Sequence, residues 1–317
     1  MQQFVFIFCI ILAGFIAGQL INRTANQHNE AIRSICIFLA LRITIPISIT
    51  LAIWQLHIES WVLAFLPIIG GGFLLLCFAV AFIVAKVLKL PPKQMGVYAP
   101  AGGFTNIGAV GALTVLVFLG ESGLALLPLF KVFEEVIYFA FFFPFAAKHS
   151  ENKSILTRKW WNDPLIQMST LAVTIGFSLN LLNIERPEEF FLISKYLVPI
   201  GTFALMITVG IAFNLGSIAT QWRLGLLLAL IKQLIMPIVL LIILIAFGFS
   251  EPYEGMILKT SVLLACMPMA FIIMLPAALF KLDQDLANAC WFASTLLYIL
   301  MLPFFPAILI YIDQLIT

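Results

Sequence analysis

Ten apolar stretches of roughly bilayer length run along this chain, separated by nine polar breaks. A transmembrane helix needs about 20 mostly apolar residues to cross the hydrocarbon core. The stretches fall at roughly 3–21, 31–53, 61–88, 95–118, 123–147, 164–182, 191–212, 224–249, 256–280 and 287–312. Segments such as NRTANQHNE, KLPPKQ and KHSENKSILTRKWWND separate them. Only 10% of the 317 residues are charged and 63% are hydrophobic, whereas a soluble domain carries about 25% charged residues. One core cannot hide that much apolar surface, so lipid must be the solvent. The expected fold class is an all-α polytopic membrane protein.

Other classes find no support. A net charge of +2 gives no reason to expect nucleic acid. Cys9, Cys36, Cys77, Cys266 and Cys290 all lie in apolar stretches, with no CxxC and no Cys/His cluster. They read as small packing residues, and no metal or cofactor is expected. His28, His57 and His149 fall in polar breaks, and there is no HExxH, nucleophile elbow or intramembrane aspartate pair. Catalysis needs acid, base or metal within mutual reach. Only Lys131, Glu134 and Glu135 offer titrating groups on one face of a span, so an enzyme is not expected. The N-terminus has no basic n-region and reads as a retained first helix.

Positive charge orients the spans. The breaks after spans 1, 3, 5, 7 and 9, with their span ends, hold Arg23, Arg33, Lys86, Lys89, Lys93, Lys148, Lys153, Arg158, Lys159, Arg223 and Lys281. The other side holds Arg186, Lys195 and Lys259. Both termini are therefore expected outside the cytoplasm. The longest break, 148–163, divides the chain into halves of five spans, 1–147 and 164–317. An odd number of spans makes the second half enter the membrane from the opposite side, the condition for an inverted repeat.

The midpoints of spans 4 and 9, the fourth of each half, fall at Asn106 and Pro268. Inverted-repeat transporters break a corresponding pair of helices at the midplane and bind substrate there. Proline removes a helical hydrogen bond, so ACMPMAFIIMLP reads as a break at Pro268, with Pro276 a second candidate. In GGFTNIGAVGAL, residues 102–113, glycines and Asn106 would serve the same purpose. Close helix packing through Gly108 and Ala112 stands beside that reading, although packing alone does not need the amide of Asn106.

The stretch FTNIGAVGALTVLVFLGESGLALLPLFKVFEEVIYF resembles the fourth and fifth helices of the auxin efflux carrier family of membrane transport proteins. The family pattern is Asn-x-Gly-x-x-Gly-x-Pro, then Gly-x-x-Gly-Leu-Ala. Asn106, Gly108 and Gly111 match it, as do Gly120, Gly123, Leu124 and Ala125. LLACMPMAFIIMLPAALFKLDQDLANACWFASTLLYILMLPFFP is similar to the ninth and tenth helices, with Pro268 at the crossover proline and Ser294, Thr295 and Pro303 in the last helix. FLALRITIPISI resembles the second helix, with Pro46 in place. One departure is clear. Leu113 stands where the family has proline, and Ala109 and Val110 replace its usual Phe-Ile or Phe-Leu, leaving the glycines or Pro100 to break span 4.

The resemblance implies a ten-helix, five-plus-five inverted repeat related in fold to bile-acid sodium symporters. Helices 1, 2, 6 and 7 would form a scaffold and the contact of a homodimer. Helices 3–5 and 8–10 would form a moving, elevator-type transport domain. Helices 4 and 9 would cross at their breaks and hold substrate at Thr105, Asn106, Gly108, Gly111, Met267, Pro268 and Met269. Bacterial members are associated with small carboxylates such as malate and malonate, and plant relatives with auxin. A secondary transporter of a small organic anion in the cytoplasmic membrane is the expected function. A sodium-coupled symporter and a non-transporting membrane sensor or scaffold remain as rivals.

Charges within spans are functional candidates by default. Lys131 precedes Glu134 and Glu135 by three and four residues, so it reaches either along one helix face. The group reads as an internal ion pair or as a proton-coupling carboxyl. Arg42, mid-span and four residues before Pro46, reads as a partner for Glu134 or Glu135 or as a carboxylate ligand. Lys232 reads as snorkelling to the cytoplasmic surface or lining an inner vestibule. No acidic residue lies near either break in sequence, so protons or the membrane potential are expected to drive transport rather than sodium.

Overall fold

Prolines set where the helices of this chain depart from regularity. In the computed structural model, which describes residues 2–24, 28–54, 61–150, 164–187, 189–213, 218–249 and 255–316, every regular element is helical. The first are α1 (Gln2–Thr24) and α2 (Asn29–Phe38), the latter running through a π-helical turn, Leu39–Thr44, into α3 (Ile45–Trp54). Then come α4 (Leu66–Val87), α5 (Pro92–Gly103) and, after a π-helical turn at Ile107–Gly111, α6 (Ala112–Lys131). A further π-helical turn, Tyr138–Phe142, joins α7 (Glu134–Ile137) to α8 (Phe143–Lys148). Next are α9 (Pro164–Leu181), α10 (Phe190–Ala212) and α11 (Ile218–Leu230), which passes through the π-helical turn Ile231–Ile235 into α12 (Met236–Ala246). The last are α13 (Met256–Ala265), α14 (Met274–Leu279), α15 (Gln284–Met301) and α16 (Phe305–Ile316).

Three of the π-helical turns end two residues before a proline: Pro46, Pro144 and Pro237. Proline has no N–H for the carbonyl four residues back and clashes with it, so the preceding turn widens. The wide turns are closed by bonds that span five residues, Phe143 N–H to Tyr138 O and Met236 N–H to Ile231 O. Gly120 interrupts α6 differently, at φ +66° and ψ −158°, a backbone that a side chain resists.

Six helical segments among the described residues are long and apolar enough to cross a membrane: Val5–Thr24, Asn29–Ser48, Val62–Val87, Pro92–Lys131, Thr220–Ala246 and Gln284–Leu315. Shorter apolar helices accompany them at Lys195–Ile211 and Met256–Ala265. The 10-residue α13 is short because the chain breaks just after it.

The chain divides into two units. The first comprises Met1–Ser60, Gly108–Pro128 and Trp161–Phe213. In it α1 packs on α10 through glycine: a Cβ on Gly18 would sit 2.8 Å from Gly210 Cα. Gln19 Nε2 donates to Gly210 O at 2.7 Å and Phe213 O at 3.0 Å. Thr50 donates to Ala172 O at 3.1 Å and joins α3 to α9. Arg186 donates to Leu51 O at 3.1 Å and pairs with Glu121 at 2.7 Å, both side chains nearly buried. That pairing makes structural a cation and an anion that fall in polar breaks of the sequence.

The second unit comprises Trp61–Ile107, Leu129–Trp160 and Asn214–Thr317. Its α4 and α5 approach so closely that a Cβ on Gly102 would meet Ala81 Cβ at 2.5 Å and Cys77 O at 2.7 Å. Gly103 faces Phe142, which stacks on Phe78 and Tyr138 and meets Phe104 edge-on. Gly102 and Gly103 are thus packing residues. They are the last two residues of α5 and neither has a positive φ; the break expected of these glycines follows Gly103 directly, at Phe104.

Candidate functional site

The second unit contains two helical breaks bonded to each other. α5 ends at Gly103, and Phe104 turns extended, with φ −62° and ψ 115°. α13 ends at Ala265, and helix resumes at Phe271. Asn106 N–H donates to Pro268 O at 2.8 Å, and Ala270 N–H donates to Phe104 O at 3.3 Å. Two short extended segments therefore exchange backbone bonds, as neighbouring strands would.

Several of the groups released by the break of α5 find partners, as burial in an apolar medium favours. In an uninterrupted helix Gly102 O would accept from Asn106 N–H. Here it accepts from Lys232 Nζ at 2.9 Å. Gly103 O accepts from Thr105 Oγ1 at 3.1 Å. Thr105 N–H, which would have gone to Ala101 O, donates to Tyr138 Oη at 2.7 Å. At the other break Met269 N–H donates to Ser294 Oγ at 3.0 Å.

A charged chain of contacts runs from this break. Lys232 Nζ also donates to Thr105 Oγ1, at 2.6 Å. Tyr138 Oη lies 2.9 Å from Glu134 Oε1 and 3.1 Å from Thr105 O, and the shorter, charge-assisted contact takes its single proton. Glu134 Oε2 pairs with Lys131 at 3.1 Å. Lys131, Glu134, Tyr138, Thr105 and Lys232 are thus joined in one network.

Several sequence expectations change here. Lys232 does not snorkel: it is 1% exposed and bound at the break. An acidic residue does approach a break, because Glu134 reaches Thr105 through one tyrosine. Arg42 is exposed, its guanidinium 5.5 Å from the Phe38 ring centroid. The side chain of Glu135 lies outside the described residues.

Thr105, Met267, Pro268 and Met269 are buried at the breaks. Asn106 is half-buried, and Gly108 and Gly111 belong to the π-helical turn that follows it. The N–H groups of Thr105, Asn106 and Ile107 are all taken within the protein. A cleft of about 660 Å³ lined by Lys93, Lys148, His149 and Asp283 lies at the opposite end of α5, roughly 16 Å away at 1.5 Å per residue.

Tyr138 and Gln233 escaped the sequence reading. Tyr138 carried a signal, its place four residues after Glu134. Gln233 follows Lys232 in the same π-helical turn and donates to Cys266 O at 3.3 Å, at the end of α13. Consecutive residues of one wide turn therefore bind both breaks. Gln233 Oε1 is buried with no hydrogen-bond partner among the described residues.

Apolar spanning helices, two of them interrupted and joined at their breaks with a buried cation, are the architecture of an integral membrane transport protein. The family model described as membrane transport protein matches residues 1–306, and the chain belongs to that family, the auxin efflux carriers. It is a family of transporters and not of enzymes. No curated protein matches the chain.

Proposed function

We propose that this chain is a secondary transporter that moves a small organic anion, a carboxylate such as malate or malonate, across the cytoplasmic membrane. The observation that carries the reading is the pair of bonded breaks at Phe104–Asn106 and Met267–Ala270, with the half-buried Asn106 amide beside them and the Lys232 ammonium behind Thr105. Asn106 donates to a carboxylate oxygen of the substrate. Gly108 and Gly111 leave the following turn bare, and Thr105, Met267, Pro268 and Met269 form the wall of the site. The buried Lys232 ammonium beside the breaks favours an anion over a cation.

The proposed architecture is ten spanning helices in two inverted halves, 1–147 and 164–317, with 148–163 a cytoplasmic linker and both termini extracytoplasmic. Helices 1, 2, 6 and 7 form the scaffold and homodimer contact, and helices 3–5 and 8–10 move in an elevator-type cycle. The contact units agree with this division in part: Met1–Ser60 and Trp161–Phe213 fall in one and Trp61–Ile107, Leu129–Trp160 and Asn214–Thr317 in the other, while Gly108–Pro128, from helices 4 and 5, groups with the first. Protons are the coupling ion, with Glu134 the carboxyl that takes one up.

The test is flux into liposomes that contain the purified protein, with malate, malonate and lactate as substrates. Asn106→Ala should lower flux about ten- to a hundredfold, the loss of a hydrogen bond to a charged group, at unchanged yield of folded protein. Asn106→Asp should be worse, since it sets a negative charge against an anion. Normal flux in Asn106→Ala, or a loss matched by loss of folded protein, would make Asn106 a packing residue.

A further inference from the structure

The ion pair of Arg186 with Glu121, in the first unit, has two halves that are held very differently. The cation is fixed. Arg186 Nη1 donates at 3.1 Å to Leu51 O, one of the last four carbonyls of α3, which lack partners within the helix. Asn180 Nδ2 donates to two more of them, Ile53 O at 3.2 Å and Trp54 O at 3.0 Å, and Trp54 Nε1 donates to Ile184 O at 2.6 Å. The segment that carries Arg186 is thus tied to the end of α3, where the helix dipole also favours a cation.

The anion sits on a corner. A Cβ on Gly123 would lie 2.9 Å from Val115 Cγ1, although eight residues of straight helix would separate the two by roughly 12 Å. The chain therefore folds back at Gly120, whose φ of +66° makes the corner, and Glu121 stands at its tip. Glu121 Oε2 takes Arg186 Nη2 at 2.7 Å, while Oε1 is buried with no hydrogen-bond partner among the described residues. A buried carboxylate satisfied on one oxygen stays closed at a cost, and water would supply the missing bond on release. The corner belongs to Gly108–Pro128, which groups with the first unit, whereas the rest of spans 4 and 5, at 95–107 and 129–147, groups with the second.

We propose that Arg186 and Glu121 form an extracytoplasmic latch, which docks the corner of spans 4 and 5 on the scaffold when closed and opens when those spans move with the rest of the transport domain. Arg186 stays on α3 as the catch, and Glu121 leaves with the corner. A second bond that holds the same segment has a replacement at hand: Thr202 Oγ1 lies 3.1 Å from Ala109 O and 3.0 Å from Val198 O, so its proton is satisfied whether or not Ala109 departs. The latch rests on the proposed elevator motion of helices 3–5 and 8–10.

The first test is amide hydrogen exchange of the purified protein, read without substrate. Glu121→Ala should speed exchange within Gly108–Pro128 about ten- to a hundredfold, the loss of a hydrogen bond between charged groups, and leave α3 and α10 unchanged. Glu121→Gln keeps the shape and a neutral bond, and should give a smaller rise at the same place. Arg186→Gln should speed exchange at the end of α3 as well, because it also releases Leu51 O. Unchanged exchange in both Glu121 variants, or a rise spread evenly over the first unit, would make the pair a static tie and overturn the proposal. So would failure of both variants to fold. The second test is flux. A reducible cross-link between the thiols of a Glu121→Cys/Arg186→Cys variant in liposomes should abolish malate flux, and its reduction should restore it; cross-linked protein that transports at the reduced rate overturns the latch. If wild type carries none of malate, malonate and lactate while exchange rises within Gly108–Pro128 alone, the substrate reading falls and the latch stands. If wild type carries them and exchange rises evenly, the latch falls and the substrate reading stands.

Discussion

Tyr138→Phe removes one oxygen atom from the most connected point of the buried network. Two bonds go with it: Thr105 N–H to Tyr138 Oη at 2.7 Å, and Tyr138 Oη to Glu134 Oε1 at 2.9 Å. The two losses differ in size. Glu134 keeps Lys131 at 3.1 Å, and hydrogen bonds between membrane helices contribute only about 0.6 kcal/mol on average. Thr105 N–H has no such reserve. In a chain unfolded within the membrane it would bond to Ala101 O in ordinary helix, so its orphaning in the native state is uncompensated, about 1–3 kcal/mol. The variant should therefore lose about 2–3 kcal/mol of stability, a fall of roughly 4–8 °C in thermal unfolding of the detergent-purified protein. Glu134→Gln supplies the second arm of a double-mutant cycle. Both changes act on one shared bond, so the double variant should lose less than the sum of the singles. A shift in Tyr138→Phe below about 1 °C, or strict additivity with Glu134→Gln, would refute the network as described.

Two glycines in neighbouring helices should respond oppositely to alanine. A Cβ on Gly103 would lie 2.2 Å from Phe142 Cζ and 3.0 Å from Leu74 O. Phe142 is fully buried among other rings and cannot swing away. Gly103→Ala should lose about 1–3 kcal/mol, whereas Gly72→Ala, whose Cβ meets nothing within 4 Å, should be neutral or gain about 0.5–1 kcal/mol; equal unfolding temperatures for the two would contradict the packing of α5 on α4. The eleven Lys and Arg on one side against three on the other predict that a reporter active only in the cytoplasm stays silent when fused after the last residue; a bright fusion would invert the proposed topology.

Much of this site can be read from sequence because it depends on span length and proline. Counting apolar residues puts Asn106 and Pro268 at span midpoints, and the backbone bond between them follows those positions. Pro46, Pro144 and Pro237 mark where helices go wrong, although not that the defect is a widened turn. Lys232 was misjudged for a physical reason. Distance along the chain placed its Cα towards one end of a span, and a lysine there ordinarily snorkels. What buries it instead is a tertiary event, the release of Gly102 O when Asn106 N–H turns to Pro268. No local pattern encodes that exchange. Tyr138 was overlooked for a similar reason, since an aromatic residue in an apolar span looks like packing until the break beside it exposes a donor.

The family's missing proline fits the same accounting. Leu113 stands in its place, fully buried near the start of α6, yet the chain still breaks before Asn106. A proline there would withdraw its own N–H and clash with Ala109 O, four residues back in the π-helical turn Ile107–Gly111, which lies after the break at Phe104–Asn106. The break instead needs an outside acceptor that competes for Asn106 N–H, and an outside donor for the carbonyl left behind. Pro268 O is the acceptor and Lys232 Nζ the donor. Pro268 cannot continue its own helix, since it has no N–H to give the carbonyl four residues back. Its carbonyl turns instead to the neighbouring segment. One proline in α13's continuation thus helps to interrupt two helices, and Leu113 is free to serve as core.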